Sequence, residues 1–258
     1  MRRYLPFAII GLIFVIAAGG GLLLFRSKNV STPIRIVPGK PGAEPAHIRG
    51  SDQARVTLEE FGDYQCVPCH FLAKTLLKVE HDYGTKVRII FRHYPLKKHV
   101  HAYTAACAAE AAGVQGRFWE MHDLLFQNSP QWGKETPRPI ISLVPNAPDV
   151  SPEEKAAEVR AIFAGYAEKL GLDVERFKRD MDSEQVRGRI RSDQERAASV
   201  GVDRTPSVFM NGLTVPYTSF DEVDLRRTLD AELSGQTPTP VPPTPGSNLQ
   251  IPTPTPPK

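Results

Sequence analysis

The chain has 258 residues, of which 41% are hydrophobic and 24% are charged, enough for one good-sized domain or two small ones. Its formal net charge is +3, with lysine and arginine interspersed among aspartate and glutamate, which excludes the dense basic surface that a nucleic acid partner requires. Three cysteines are too few, and odd in number, for a scaffold held together by disulfides, so we expect a chemical use for them.

The first 28 residues contain an uncharged run of 21 residues, Leu5 to Phe25, with basic residues on both sides. As a helix this run would be roughly 31 Å long, the thickness of the hydrocarbon core of a bilayer. Residues 1–28 therefore predict a single membrane anchor, and the alternative is a signal peptide cleaved near Ala17–Gly19. Both place the rest of the chain on the extracytoplasmic side of a bacterial membrane, either anchored there or released as a secreted or periplasmic protein.

The folded part is expected between two segments that lack apolar patterning. Residues 29–45 are rich in proline, glycine and serine and predict a flexible stalk. Residues 235–258, "GQTPTPVPPTPGSNLQIPTPTPPK", cannot bury a core and predict a disordered Pro/Thr-rich tail. The domain is therefore predicted at residues 46–234.

The domain begins with a strand, a helix and a second strand. β-Branched and aromatic residues predict the strands at 54–61 and 86–94. The helix between them carries an apolar stripe with a period of 3.6 residues, which begins at Cys69 and includes Leu72 and Leu76.

A helical block and a β-hairpin follow. Ser151 and Glu154 predict a capping box, and "NG" between "SVFM" and "LTVPY" predicts a hairpin turn. Helices are predicted at 102–113, 117–127, 151–171, 183–201 and 220–233. This order of elements predicts an α/β fold.

Two cysteines stand at the junction of the first strand and helix, in "EEFGDYQCVPCHFL". Residues three apart at a helix start are close enough to form a disulfide. Cys66 lies beside the free N–H groups and the positive end of the helix dipole, which stabilise a thiolate, whereas Cys69 shares the apolar stripe and faces inward. One exposed, acidic sulfur and one shielded sulfur are what thiol–disulfide exchange requires.

Two other uses of the cysteine pair remain open at this point. A structural disulfide would close a very short loop and would constrain the unfolded chain little. A zinc site would need two more ligands, for which His70, His93, His99 and His101 are candidates, but the chain has no second C-x-x-C motif. Redox chemistry is favoured over a Cys/His metal-binding module.

Three separated motifs resemble a known family. They are "VTLEEFGDYQCVPCHFL", then "FRHYPL" followed by "FWEMHDLLF", and then "VGVDRTPSVFMNG". In this order they resemble the DsbA-like thiol:disulfide oxidoreductases, in particular their membrane-tethered or secreted branch, over about residues 48–233. The resemblance implies a thioredoxin-like sheet flanked by helices, with an inserted helical subdomain at about 97–200, and it implies no cofactor.

The same resemblance implies the activity and the partners. The enzyme would donate the Cys66–Cys69 disulfide to reduced or unfolded secreted proteins through a mixed disulfide. A quinone-linked membrane reoxidase of the DsbB or vitamin K epoxide reductase-like type would regenerate it. The alternative is a disulfide reductase or isomerase of the same fold, although residues 29–54 are too short for the dimerisation domain that such isomerases usually carry.

Matched position by position, Cys66 is the attacking cysteine and Cys69 the resolving one. Val67 and Pro68 occupy the dipeptide that tunes redox poise, where the best-known oxidase has Pro-His, so the resemblance leaves the oxidising strength open. His70 follows the pair directly. As a cation it would favour the thiolate, and the other interpretation is a surface residue.

Two positions farther along the chain also match the family. Pro206 matches its cis-proline and Thr205 the residue before it, whose backbone pairs with substrate in related proteins. From the sequence alone, Pro206 is the first residue of a strand, where the missing N–H is tolerated.

Glu60 matches a buried acid that relays the proton of the resolving thiol. Its alternation with Val56 and Leu58 places it on a face with two apolar residues, where a carboxyl would have a raised pKa and could act as acid or base. The alternative is that the strand buries its other face, which contains Thr57, Glu59 and Phe61.

The remaining candidates lie in the helical block. Cys107 in an alanine-rich helix is interpreted as a small buried hydrophobe, with a second redox role as the alternative. Large apolar residues at helical spacing predict core packing, and the alternative is the rim of a substrate groove. These residues are Phe118, Trp119, Met121, Leu124 and Leu125.

Overall fold

The computed structural model describes residues 39–133 and 151–235, which form five strands and eight helices. In chain order the elements are β1 (His47–Gly50), β2 (Val56–Gly62), α1 (Val67–Tyr83), β3 (Val87–His93), α2 (Ala102–Val114), α3 (Phe118–Gln127), α4 (Ser129–Trp132), α5 (Pro152–Lys169), α6 (Val174–Met181), α7 (Glu184–Ser199), β4 (Ser207–Met210), β5 (Leu213–Val215) and α8 (Glu222–Leu233). The predicted α/β order is confirmed, and β1, α4 and α6 are additional elements.

The strands form one mixed sheet in the order β1-β3-β2-β4-β5. β2 and β3 are parallel and are joined by α1, whereas the other neighbouring pairs are antiparallel. Leu58 of β2 lies opposite Ile89 of β3 and Met210 of β4. Because β4 runs antiparallel to β2, the loop that precedes β4 lies beside the carboxyl end of β2.

The edge strand β1 was not predicted. It has only four residues, "HIRG", and pairs antiparallel with β3. A segment this short, with two basic or imidazole side chains and a glycine, has too few apolar positions to show an alternating pattern.

The segment before β1 also belongs to the domain. Ala43 is buried, and its N–H donates to the Asp193 carboxylate of α7 at 2.8 Å. Its carbonyl accepts a hydrogen bond of 2.8 Å from Arg92 of β3. The predicted stalk therefore ends before residue 43 rather than at residue 45, because buried polar partners far along the chain hold this segment in place.

Helix α1 begins after Cys66 and ends at Gly84. Gly84 has a φ of +52°, a left-handed conformation that favours glycine, and its N–H donates to the Glu80 carbonyl. The buried face confirms the predicted stripe, which packs against the sheet face of Val56 and Leu58. Its residues are Cys69, Leu72, Ala73, Leu76 and Val79.

Helices α2 to α7 occupy the connection between β3 and β4, where the helical insertion is predicted. The alanines of α2 are buried on nearly every side, and Cys107 lies among them with 4% of its surface exposed, as expected for a small hydrophobe. Core packing is confirmed for three of the five large apolar residues: Phe118, Met121 and Leu125. Trp119 and Leu124 are half-buried.

Within residues 39–133 and 151–235, no helix has the length and apolar character needed to cross a membrane. The predicted anchor or signal at 1–28 and the tail beyond residue 235 lie outside the described residues.

Candidate active site

The two cysteines occupy different environments at the start of α1. Cys66 is the N-cap residue and has an extended backbone, with φ −77° and ψ 118°. Cys69 lies on the buried face of the helix and is 0% exposed, whereas Cys66 retains 6%. Both are free thiols in this structure. Cys66 is therefore less exposed than the sequence predicts, because the loop before β4 lies against its sulfur.

The acidities of the two thiols diverge strongly. The pKa of Cys66 is lowered to about 6, first because the Cys69 side chain hydrogen-bonds to its sulfur. The Thr205 side chain and the Cys69 backbone N–H lower it further, against the opposing effect of burial. Burial raises the pKa of Cys69 well above its usual range, and the charge of Cys66 adds to this effect. At neutral pH the pair therefore holds a thiolate at Cys66 and a proton at Cys69.

The start of the helix contributes to this asymmetry as the sequence predicts. The Cys69 N–H is one of the first-turn donors that have no partner inside the helix, and it lowers the pKa of the N-cap sulfur without forming a capping hydrogen bond of good geometry. The larger contribution comes from the neighbouring thiol itself, which the sequence spacing places one turn away.

The loop before β4 closes over the Cys66 sulfur. The Thr205–Pro206 peptide bond is cis, and the Thr205 carbonyl lies 3.5 Å from the Cys66 sulfur, where it accepts a hydrogen bond when Cys66 is protonated. The Thr205 hydroxyl is buried without a partner of good hydrogen-bond geometry among the described residues, yet it lies close enough to lower the pKa of Cys66. Because Ser207 pairs with Phe61, strand pairing brings together residues 139 positions apart.

Glu60 is buried on the face of β2 that packs against α1, and it is 1% exposed. Burial, and then the charge of Cys66, raises its pKa to about 8. Its Oε1 atom has no hydrogen-bond partner among the described residues. The charge of Glu60 in turn raises the pKa of Cys69, so the carboxyl and the resolving thiol sense each other.

The opposite face of β2 is buried as well, so the two orientations considered for this strand are not exclusive. Glu59 is 8% exposed on that face. It accepts hydrogen bonds from Arg92 at 3.0 Å and from Arg196 at 2.6 Å. Two guanidinium groups thus compensate Glu59, whereas Glu60 has no ion pair within the part of the chain that the structure describes.

Val67, Pro68 and His70 flank the cysteines in different ways. Val67 is 65% exposed, and Pro68 lies in the first helical turn, where its missing N–H has no cost. His70 is half-buried, and its Nδ1 donates to the Phe126 carbonyl at 2.6 Å and lies 3.2 Å from the Ser129 hydroxyl. In the described residues the His70 side chain forms no hydrogen bond to either cysteine, although its backbone N–H donates to the Cys66 carbonyl at 3.1 Å. The side chain links α1 to α3, a role that neither interpretation of this residue included.

Sequence reasoning missed a buried acid three residues before Cys66. The Asp63 carboxylate accepts hydrogen bonds of 2.8 Å from the backbone N–H groups of Gln65 and Leu96 and from Nδ1 of His99. Its backbone carbonyl accepts from the Cys66 N–H at 3.1 Å. The available signal was an aspartate in a short strand-to-helix turn, where this side chain commonly binds nearby backbone donors.

A groove of about 570 Å³ opens beside the cis-proline. Its lining is mainly apolar and includes Val202, Pro206, Phe209, Val215, Pro216, Tyr217 and Phe220. The pKa of Tyr217 is raised by burial and then by the charges of both cysteines, so this rim lies within electrostatic reach of the pair. On another side of Cys66, the first turns of α1 present Val67 and Phe71, which is 57% exposed.

In the described ranges, one group of three close metal-ligating side chains is present, His93, Glu110 and Asp193, and neither cysteine belongs to it. Arg189 donates to Glu110 at 2.6 Å, and Arg92 donates to Asp193 at 3.1 Å. Guanidinium groups therefore already balance the carboxylates of this group, which suits a structural ion network better than a bound cation.

Comparison with known proteins is consistent with the site geometry. A family model described as thioredoxin matches residues 43–231. The chain belongs to the thioredoxin family.

Solved structures of two other proteins share this fold. Oxidised BdbD from Bacillus subtilis aligns with a TM-score of 0.59 and 22% identity, over 78% of this chain and 100% of that chain. A thioredoxin-like oxidoreductase from Silicibacter pomeroyi aligns with a TM-score of 0.51 and 27% identity, over 72% of this chain and 94% of that chain.

The thioredoxin-like domain is also similar to part of larger proteins. It is 35% identical over 178 residues to the Na(+)/H(+) antiporter NhaA 1 of Salinispora arenicola, covering 69% of this chain and 23% of the antiporter. It is 31% identical over 231 residues to NhaA of Herminiimonas arsenicoxydans, covering 90% of this chain and 32% of that protein. The chain thus spans less than a third of the length of these relatives.

Proposed function

We propose that the protein is a thiol–disulfide oxidoreductase on the extracytoplasmic side of a bacterial membrane, where it donates the Cys66–Cys69 disulfide to folding secreted proteins. The observation that carries the proposal is the asymmetry of the pair, with an acidic sulfur at the helix start and a shielded one behind it. The extracytoplasmic position is supported by the uncharged run of residues 5–25.

The exchange proceeds through two attacks. A substrate thiolate attacks the Cys66 sulfur of the oxidised pair, the Cys66–Cys69 bond breaks, and Cys69 leaves with the electron pair and takes up a proton. A second substrate thiolate then attacks the substrate sulfur of the mixed disulfide, and Cys66 leaves as a thiolate. The substrate loses two electrons and gains a disulfide, and the enzyme is left as the dithiol.

The stability of the departing Cys66 thiolate supplies the driving force. With a pKa of about 6, Cys66 is mostly ionised at neutral pH, at roughly ten thiolates for each thiol. Stabilising the thiolate stabilises the reduced enzyme, and a stable reduced form makes the oxidised form a stronger oxidant.

Glu60 is proposed to supply the proton that Cys69 takes up. Its carboxyl is buried near the pair and has a pKa of about 8, so it holds a proton at neutral pH. A group that carries a proton in the apolar interior can protonate a leaving sulfur that bulk water does not reach.

The groove beside the cis-proline is proposed to hold the substrate chain. Its open, mainly apolar lining fits an extended polypeptide with exposed apolar side chains better than it fits a compact small molecule. Val67 and Phe71 extend the apolar surface around Cys66. Reduced secreted proteins that have not yet folded present such segments.

Regeneration requires an acceptor for the two electrons of the dithiol. We propose a quinone-linked membrane reoxidase of the DsbB or vitamin K epoxide reductase-like type, which fits a domain held at the membrane surface. The reduced pair would attack the disulfide of this reoxidase through the Cys66 thiolate.

The redox potential of the pair tests the proposal. We expect equilibration with glutathione to give a potential well above that of thioredoxin, about −270 mV, and closer to that of DsbA, about −120 mV. A Cys66→Ser variant should show no equilibrium with glutathione in this range. A potential near the thioredoxin value would contradict an oxidase role and favour a reductase of the same fold.

A further inference from the structure

Asp63 places a buried carboxylate next to the proposed nucleophile. It is 1% exposed, it lies three residues before Cys66, and its backbone carbonyl accepts the Cys66 N–H. The charge of Asp63 raises the pKa of Cys66, so it opposes the thiolate that the proposed chemistry requires. An acid in this place needs a compensating group.

His99 is the ion-pair partner of Asp63 in the described residues, with Nδ1 at 2.8 Å from Oδ2. Its side chain is 17% exposed, so solvent protons can reach the imidazole, whereas the carboxylate is 0% exposed. The pair carries no net charge when His99 is protonated and one negative charge when it is not.

The same carboxylate also determines where Cys66 lies. It binds the Gln65 N–H on its own loop and the Leu96 N–H on the segment between β3 and α2. Gln65 continues the connection, since its side chain donates to the Gly133 carbonyl at 2.8 Å. The loop before α1 is therefore tied to the segment between β3 and α2 through Asp63, and to the end of α4 through Gln65.

From this arrangement we propose that Asp63 and His99 form a positioning pair for Cys66: Asp63 holds the loop, and the His99 imidazole, paired with the carboxylate, offsets the charge that would otherwise oppose the thiolate. The inference deepens the proposed function and rests on it. Other charged groups that act on the cysteines, Glu60 and the thiols themselves, lie on β2 and α1, whereas His99 lies on a separate segment.

The test is a His99→Asn variant of the full-length protein. The Asn amide can donate to Asp63 as Nδ1 does, but it carries no charge, so the hydrogen bond is kept while the compensation is lost. We expect the apparent pKa of Cys66, measured by the pH dependence of alkylation, to rise by about 0.5 to 1. The equilibrium constant for oxidation of glutathione-type thiols at neutral pH should fall about three- to fivefold.

A matched control and a second variant sharpen the test. His81 is exposed at the far end of α1, so His81→Asn should leave the Cys66 pKa unchanged. Asp63→Asn should lower the Cys66 pKa, and urea unfolding checks that this variant folds. The double variant, Asp63→Asn with His99→Asn, should return the Cys66 pKa toward the wild-type value.

The outcomes separate this inference from the function on which it rests. A wild-type Cys66 with the pKa of a free cysteine, about 8.5, would contradict the proposed function and the inference together. A low wild-type pKa that His99→Asn leaves unchanged, in a variant of normal stability, would overturn the positioning pair alone.

Discussion

Replacing Glu60 by glutamine tests whether a protonated acid lies next to the cysteine pair. The side chain is 1% exposed, and burial raises its pKa from 4.5 to about 8. Between these two values the unfolded chain is ionised at this position while the folded protein keeps its proton. Unfolding then releases a proton, so the contribution of Glu60 to stability falls as the pH rises and becomes constant above about pH 8.

The size of this effect follows from the two pKa values. Each pH unit between them lowers the free energy of unfolding by about 1.4 kcal/mol. From pH 4.5 to pH 7 the loss amounts to about 3 kcal/mol. This is a large share of the free energy of unfolding of a typical domain, which is about 5–15 kcal/mol. Glutamine does not titrate, so the Glu60→Gln variant should gain about 3 kcal/mol relative to its parent over this range.

The assay is urea unfolding followed by circular dichroism across this pH range, under reducing conditions. Cys66 and Cys69 are kept in both proteins, because the charge of Cys66 contributes to the raised pKa of Glu60, and the titration of the thiols then largely cancels in the difference. Glu153→Gln serves as the matched control, because Glu153 is exposed on α5 and its replacement should leave the pH dependence unchanged. If the difference between Glu60→Gln and its parent stays constant with pH, Glu60 is ionised in the folded protein. It could then not hold the proton proposed for Cys69.

Three further predictions concern the cysteines and the loop that covers them. The alkylation rate of Cys66 should reach half its maximum near pH 6, and a midpoint near that of free cysteine, about 8.5, would contradict the asymmetry. Cys69→Ser should accumulate mixed disulfides with a disulfide-bonded substrate protein on non-reducing gels. The Cys66 thiolate attacks the substrate disulfide and releases one substrate thiolate, and the variant has no resolving thiol to break the mixed bond. Cys66→Ser is the control and should trap none. Thr205→Val keeps the backbone carbonyl but removes the hydroxyl, so it should raise the Cys66 pKa measured by alkylation. Thr228→Val, on α8, is the control, and an equal rise in this variant would show that the effect is not local.

The elements around the cysteines could be predicted from the sequence because their signals are local. The stripe of Cys69, Leu72 and Leu76 repeats at the helical period, and the structure buries all three on one face of α1. β1 escaped prediction because four residues are too few to show a period. The sequence also did not predict that the domain begins before Ala43. Arg92 and Asp193, the residues that bury Ala43, lie far along the chain, so its neighbours in sequence give no sign of this burial.

The environment of the active site followed the same division. The C-x-x-C spacing at a helix start indicates an acidic leading thiol, and resemblance to a family adds Pro206 and Glu60 as candidates. The exposure expected for Cys66 was overstated, since the loop at Thr205 reaches it through the pairing of β2 with β4. Within the described residues the His70 side chain forms no hydrogen bond to the cysteine sulfurs, because it donates to the Phe126 carbonyl of α3.

By itself, the sequence determined the helix that begins at the cysteine pair and the order in which the two sulfurs lie along it, because neighbouring residues set the backbone and the periodicity. The thiol that most lowers the pKa of Cys66 is local as well, since it belongs to Cys69, but only the tertiary structure decided the burial and the other charges that act on the two sulfurs. Burial and charge depend on groups that strand pairing and helix packing bring together, such as Thr205 near Cys66 and His99 on Asp63. Those groups lie far apart along the chain, so no local pattern carries the information.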